Sequence, residues 1–394
     1  MSSRTRWLLP SGIEEVLPEN AAVLESYRRK LLDLFSSWGY QLVIPPFIEF
    51  LDSLLIGDCE DLDLQTFKLT DQLSGRTMGV RADMTPQVAR IDAHMLKENA
   101  PTRLCYCGTV LHTLPETAGG SRSPLQIGAE LYGHKGMSSD IEIISLMTTT
   151  LQASGIDKVI LDLGHTGIYE SLIATANLTP DIESDLFSML QRKSTPDIES
   201  LLNSVDCSSD TKTAIINLVN LHGDNSVLKK ARKQLSCGGK AVADCIDYLE
   251  NISKELQSKS PDVDLHYDLA ESRGYHYQHG IVFTAFCASK GTELARGGRY
   301  DDIGESFGRA RPATGFSADL RQLIAASNQS HSSNSNVIFA PANNDKDLAT
   351  LISQLRSEGE IVITSLSEDA EEAKNIGCNR TLQKENNQWV IKEI

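Results

Sequence analysis

Residues 295 to 316 read ARGGRYDDIGESFGRARPATGF and put five glycines and four arginines into one short, irregular stretch. Glycine frees backbone NH groups to approach a ligand and guanidinium groups supply charge, so this composition is the usual material of a phosphate cradle. The stretch therefore poses a sharp alternative. The chain folds around a nucleotide and does chemistry on it, or it keeps only the form of such a site.

The chain has 394 residues, enough for roughly two to three domains with a buried core of their own. Its net charge of −16 repels polyanions, and nucleic-acid binders neutralise phosphates with clustered Lys and Arg, so RNA is not expected as the main partner. The eight cysteines form no CxxC pair, and four clustered ligands for zinc are absent; free thiols, no metal and no cofactor are expected. MSSRTRWLLPSG at the N-terminus has no apolar run fit for a signal peptide or a span, which points to the cytoplasm and away from a membrane.

Helical spacing of Leu24, Tyr27, Leu31, Leu34 and Trp38 predicts a helix over about 20–38, capped by Asn20 and ended by Gly39. YQLVIPPFIEF reads as a strand that Pro45-Pro46 confines to an edge or interface. In FKLTDQLSGRTMGVR two strands flank a turn over 71–75. RADMTPQVAR places Thr85 as an N-cap with Pro86 at the first helical position, leaving Asp83 just ahead of the exposed NH groups. RLCYCGTVLHTL and LQIGAELYG are strands; Cys105 and Cys107 share one face of the first, and Gln126, Gly128 and Glu130 one face of the second. An amphipathic helix over 139–153, the strand KVILDLG and a helix opened by HTGIYE follow. Residues 179–258 are mostly helical, with TPDIES at 179–184 and 195–200 read as repeated helix-start grammar. VDLHYDL and GIVFTAFCA are strands, SNQSHSSNSN is a polar linker, and VIFAPA, EIVITS and QWVIKEI alternate with two helices in a small α/β tail.

A glutamate on a buried strand is costly unless partnered. Glu130 is held by a structural hydrogen bond to a neighbouring strand, or it converges with Gln126 and Asp83 on a small cationic or amide-bearing ligand. RGYHYQHG sets Arg273 beside Tyr275 and Tyr277, an arrangement that packs at a sheet end or clamps a carboxylate. Together, an acid for an amino group, an arginine for a carboxylate and a second acid for a side chain describe an amino-acid pocket.

In their order these segments resemble the histidyl-tRNA synthetase family of class II. PPFIEF resembles its dimer-forming first motif, and RLCYCGTVL with LQIGAE frames the second. RGYHY resembles its histidine signature, and ARGGRYDDIGESFGRARPATGFSADL its approach to the third motif. The resemblance covers about residues 5 to 325. It implies an α+β fold, a class II synthetase-like antiparallel sheet flanked by helices. The expected layout is a 1–326 domain with a helical insertion at about 168–259, a 327–336 linker and a 337–394 α/β unit.

The departures bear on function. His112 stands where the second motif carries a phosphate-gripping arginine, and Arg321-Gln322 replace the Glu-Arg that ends the third, so Gln322 holds the other arginine's place. Losing such cations costs several kcal/mol of transition-state stabilisation each. On the amino-acid side the resemblance keeps Asp83 and Thr85 for the amino group, Gln126 and Glu130 for the carboxylate and imidazole region, and Arg273 and Tyr277 nearby. Tyr275 is a further candidate. Gln278 replaces a signature tyrosine, and Arg122 matches a basic residue of the family or is a solvated surface arginine.

The GYHY and GGRYDD forms resemble a silenced branch of the family, the regulatory subunits of ATP phosphoribosyltransferase, the opening enzyme of histidine biosynthesis. That resemblance implies L-histidine as ligand and a short-form catalytic subunit as partner. It also implies activation and feedback inhibition of that partner, a homodimer within a hetero-oligomer (a hetero-octamer in the family), and no tRNA. A divergent active histidyl-tRNA synthetase and a free-standing histidine sensor are the competing readings.

Overall fold

A computed structural model describes residues 7–55, 60–115, 120–271, 279–328, 336–366 and 372–394. Contacts divide the chain into two compact units, Met1–Asn328 and Gln329–Ile394.

The first unit opens on helix Pro18–Ser37. Pro18, not Asn20, sets its start: proline lacks the NH that a first-turn residue cannot use, and Leu17 occupies the cap without a side-chain bond. Tyr27, Leu31 and Phe35 are buried, and Leu24, Leu34 and Trp38 pack against the same core. The proline pair splits the next segment as expected. β1 (Gln41–Leu42) lies at the edge of the large sheet, and β2 (Ile48–Phe50) joins a separate sheet with β3 (Phe67–Thr70) and β4 (Thr77–Val80). The turn between β3 and β4 closes through Asp71 N–H to Arg76 O (2.9 Å).

Helix Thr85–Arg90 follows, and here the expected cap is corrected. Met84 takes the cap position, and Asp83 Oδ1 accepts the Thr85 N–H at 3.1 Å. This frees the Thr85 hydroxyl for other partners. The helix widens into a π-helical turn over Ile91–Leu96. There Asp92, almost fully buried, receives two hydrogen bonds from Arg311 Nη1 at 2.8 and 3.0 Å. A β-carbon on Gly133, which has φ of +84°, would lie 2.0 Å from Arg311 Nη2, so only glycine admits that guanidinium.

β5 (Thr102–Thr109), β6 (Leu125–Tyr132), β7 (Val159–His165), β8 (His222–Gly223), β9 (Asp264–Asp268), β10 (Ile281–Cys287), β11 (Glu293–Arg299) and β12 (Ala313–Asp319) complete the large sheet. Its order is β1-β5-β6-β12-β11-β10-β7-β9-β8. From β5 to β7 every pairing is antiparallel; β1 on β5 and β7 on β9 are parallel additions. The 295–316 stretch, irregular by composition, is paired strand at both ends, where β11 and β12 lie side by side, and the loop 300–312 joins them.

Helix Met137–Ala153 is buried around most of its circumference, rather than being amphipathic. Its polar residues misdirect the pattern because their hydroxyls bond back along the helix, Thr148 to Ser145 O (2.9 Å) and Thr150 to Leu146 O (2.7 Å), and so enter the core satisfied. His165 Nδ1 accepts from Gly167 N–H and opens helix Thr166–Ala176. Helices Pro180–Gln191, Thr195–Asn203, Ser209–Leu218, Ser226–Gln234 and Gly239–Lys259 make up the helical region. Both TPDIES segments start helices, yet neither threonine caps by its side chain; in the second, Thr195 is already inside the helix.

The second unit has β13 (Val337–Ala340), β14 (Ile361–Thr364), β15 (Arg380–Glu385) and β16 (Gln388–Glu393) in the order β14-β13-β15-β16. Helix Lys346–Ser357 covers one face through Leu348, Ile352 and Leu355. β15 escaped the sequence reading.

Candidate amino-acid site

The site assembles where helix Thr85–Arg90 begins above β6 and β12. Glu130 points up from β6 and is 1% exposed. Its Oε1 accepts from the Tyr106 hydroxyl at 2.9 Å and from Thr85 Oγ1 at 3.2 Å, and its Oε2 accepts from the Tyr300 hydroxyl. Burial pushes its pKa up to about 8, against the pull of the Tyr300, Tyr106 and Thr85 hydrogen bonds. Burial, and then the Glu130 charge, likewise raise Tyr106 and Tyr300, so both hydroxyls remain donors. Gly315 faces Glu130 across the β6–β12 pair, and a β-carbon there would fall 1.5 Å from Oε2. The glycine supplies the space in which the carboxyl sits.

Asp83 completes the other half. Its Oδ1 accepts from Gln126 Nε2 at 2.7 Å as well as from Thr85 N–H, and Gln126 Oε1 in turn accepts from Met84 N–H at 2.9 Å. Asp83, Thr85, Gln126 and Glu130, singled out separately in the sequence, thus form one hydrogen-bonded cluster. Thr85 joins its two acids, its NH to Asp83 and its hydroxyl to Glu130. Among the described residues no Lys, Arg or His bonds to any of the four. Tyr106 and Tyr300 are hydrogen-bonded neighbours of the cluster that sequence reasoning passed over; the signal for Tyr106 was its parity on β5, opposite to Cys105 and Cys107.

The remaining candidates fall elsewhere. Arg122 is more than a solvated surface arginine. It donates to His112 O (3.0 Å) and Ser11 O (3.2 Å) and lies over the Phe67 ring. His112 is buried, and its Nε2 donates to Ala82 O at 2.9 Å, turned into the protein. Gln322 is exposed on helix Leu320–Ala326. Arg273, Tyr275, Tyr277 and Gln278 lie outside the described residues.

The four arginines of 295–316 are all engaged within the chain. Arg296 pairs with Glu293, Arg299 with Asp140 and Asp301, and Arg311 with Asp92, while Arg309 Nη2 donates to Glu98 O. The composition of a phosphate cradle here serves strand packing and internal ion pairs.

Comparison with known proteins bears on the fold and the family. Residues 12–323 match the family model for histidyl-tRNA synthetase. A histidyl-tRNA synthetase structure from Nostoc shares the fold at TM-score 0.78 and 18% identity, over 98% of this chain and 95% of that one. The larger unit is therefore a class II, histidyl-tRNA synthetase-like domain. Residues 335–392 match the model for the ATP phosphoribosyltransferase subunit HisZ C-terminal domain. A Thioalkalivibrio sulfidiphilus ATP phosphoribosyltransferase regulatory subunit is 54% identical, with 100% of both chains covered, and that of Methylococcus capsulatus is 49% identical over 98% of this chain and 96% of the other. A Bacillus halodurans structure described as an ATP phosphoribosyltransferase regulatory subunit/histidyl-tRNA synthetase aligns at TM-score 0.82 and 26% identity, over 97% and 99% of the two chains. The chain belongs to the ATP phosphoribosyltransferase regulatory subunit family.

Proposed function

We propose that this chain is a non-catalytic subunit that binds L-histidine at the Asp83–Thr85–Gln126–Glu130 cluster, activates a short-form ATP phosphoribosyltransferase catalytic subunit and mediates its feedback inhibition. The observation that carries the reading is the pair of acids bridged by Thr85 and served, among the described residues, by hydroxyl and amide donors alone. A ligand with an ammonium group and an imidazole NH supplies the donors such a site lacks, since buried carboxylates favour charged partners. The inward turn of His112 and the exposure of Gln322 support a site that does not grip ATP phosphates. Feedback requires histidine to favour one assembly state over another, because equal affinity shifts nothing.

Homodimerisation within the hetero-oligomer belongs to the same proposal. Every exposed large hydrophobic of the first unit among the described residues, from Trp7 through Ile44 and Phe47 to Leu114, precedes residue 115. Large apolar side chains left exposed in this way suit association. We assign the protein to the cytoplasm without a tRNA partner; no helix among the described residues is long and apolar enough to cross a membrane.

The test is ATP–pyrophosphate exchange with histidine, run beside a calorimetric histidine titration of the same sample. Binding without exchange is expected, and exchange above background would pass the function to a divergent histidyl-tRNA synthetase. Size-exclusion with the short catalytic subunit is expected to yield a complex; none under any ligand condition overturns the partnership. Glu130→Ala is expected to weaken histidine binding by about 1–3 kcal/mol, and unchanged affinity in calorimetry moves the imidazole elsewhere.

A further inference from the structure

Arg299 precedes Tyr300, the residue whose hydroxyl donates to Glu130, and its side chain makes its bonds elsewhere. Its Nη2 donates to Asp140 Oδ1 (2.8 Å) and Ser139 Oγ (2.8 Å), its Nε to Asp140 Oδ2 (3.2 Å) and its Nη1 to Asp301 Oδ1 (3.1 Å). Asp140, at 0% exposure, sits in helix Met137–Ala153. Its Oδ2 also accepts from the hydroxyl of Tyr248, which comes from helix Gly239–Lys259. The Tyr248 ring meets His165 edge-on at 5.6 Å, at the start of helix Thr166–Ala176. One buried carboxylate thus ties the strand end that carries Tyr300 to the helical region.

We propose that Arg299, Asp140 and Tyr248 form the joint through which occupancy of the Glu130 pocket is passed to the helices of residues 166–259. The inference rests on the histidine reading above. A ligand donor that reaches Oε2 of Glu130 competes there with the Tyr300 hydroxyl and re-aims it. The Tyr300 backbone cannot absorb that shift freely, because its NH is bonded to Ala313 O at 2.9 Å and its neighbour Arg299 is held by four side-chain acceptor contacts. A fully engaged buried ion pair moves between discrete arrangements rather than by continuous deformation, so the displacement is handed to Asp140 and Tyr248. These are positioning residues, with no contact to the ligand themselves.

Hydrogen exchange on the full chain, with and without L-histidine, tests the joint. Tyr248→Phe removes only the hydroxyl. Tyr267→Phe is the control, since its hydroxyl donates to Ser253 Oγ (2.8 Å) on the same helix without touching Asp140. In the wild type, histidine is expected to slow exchange in both 125–132 and 239–259. Tyr248→Phe should keep the strand effect and reduce the helix effect at least about fivefold, while Tyr267→Phe keeps both. The proposal is overturned if the wild-type helix ignores histidine while the strand responds. It is equally overturned if Tyr248→Phe retains the helix response, or if Tyr267→Phe abolishes it as fully. A wild type that shows no strand protection and no calorimetric heat removes the histidine reading and this proposal together.

Discussion

A carboxyl group as deeply buried as Glu130 has its proton affinity set by desolvation before anything else, and its three hydroxyl donors recover only part of the cost. Its pKa of about 8 stands above the ordinary 4.5, so between those values the folded chain holds a proton that the unfolded chain has released. The stability contributed is fully present below pH 4.5 and is lost as pH rises through 8. Unfolding free energies of the wild type and Glu130→Gln, measured from pH 5 to 9, are expected to diverge at up to about 1.4 kcal/mol per pH unit, with the wild type falling. Parallel curves would mean that Glu130 titrates normally. At this scale the sequence was informative about the acids and silent about their company. Gln126, Gly128 and Glu130 announced themselves by alternation along one strand. Tyr300 and Gly315 meet Glu130 only because β12 lies beside β6 and the loop after β11 returns over it, a pairing across some 170 residues that no local pattern contains.

Elements that close on themselves were legible, and elements defined by distant partners were not. The β3–β4 hairpin and the proline-limited edge strand follow from turn chemistry and a missing NH. β15, in contrast, reads RTLQKE, with one buried residue, Leu382, and no apolar rhythm. Its signal is the pair Asn386-Asn387, both with positive φ, which is the requirement of a two-residue hairpin turn. The π-helical turn over Ile91–Leu96 was likewise invisible, since it coincides with the Asp92–Arg311 pair formed from opposite ends of the unit. Removing one member leaves a buried charge without its complement, so Asp92→Ala is expected to cost about 3–5 kcal/mol in chemical denaturation. A loss below 1 kcal/mol would show that this turn holds itself.

For the whole molecule, the formal charge of −16 and the exposed apolar side chains act on different partners. The charge disfavours polyanions at every salt concentration where fields reach, whereas the apolar side chains before residue 115 attract another protein surface at short range. The polar run SNQSHSSNSN is where the sequence reading expects a linker, because it holds no apolar residue. The apolar surface also has a consequence for how the protein is made. Synthesis delivers residues 7–114 first, before the strands that finish the sheet exist, so the stickiest part of the chain waits longest for its cover. Where that cover is a second copy, dilution acts as a denaturant. The thermal midpoint is expected to climb with protein concentration, and one that stays constant across a hundredfold range would assign the surface to some other mate. Gene dosage, through the supply of copies, then becomes a determinant of fold.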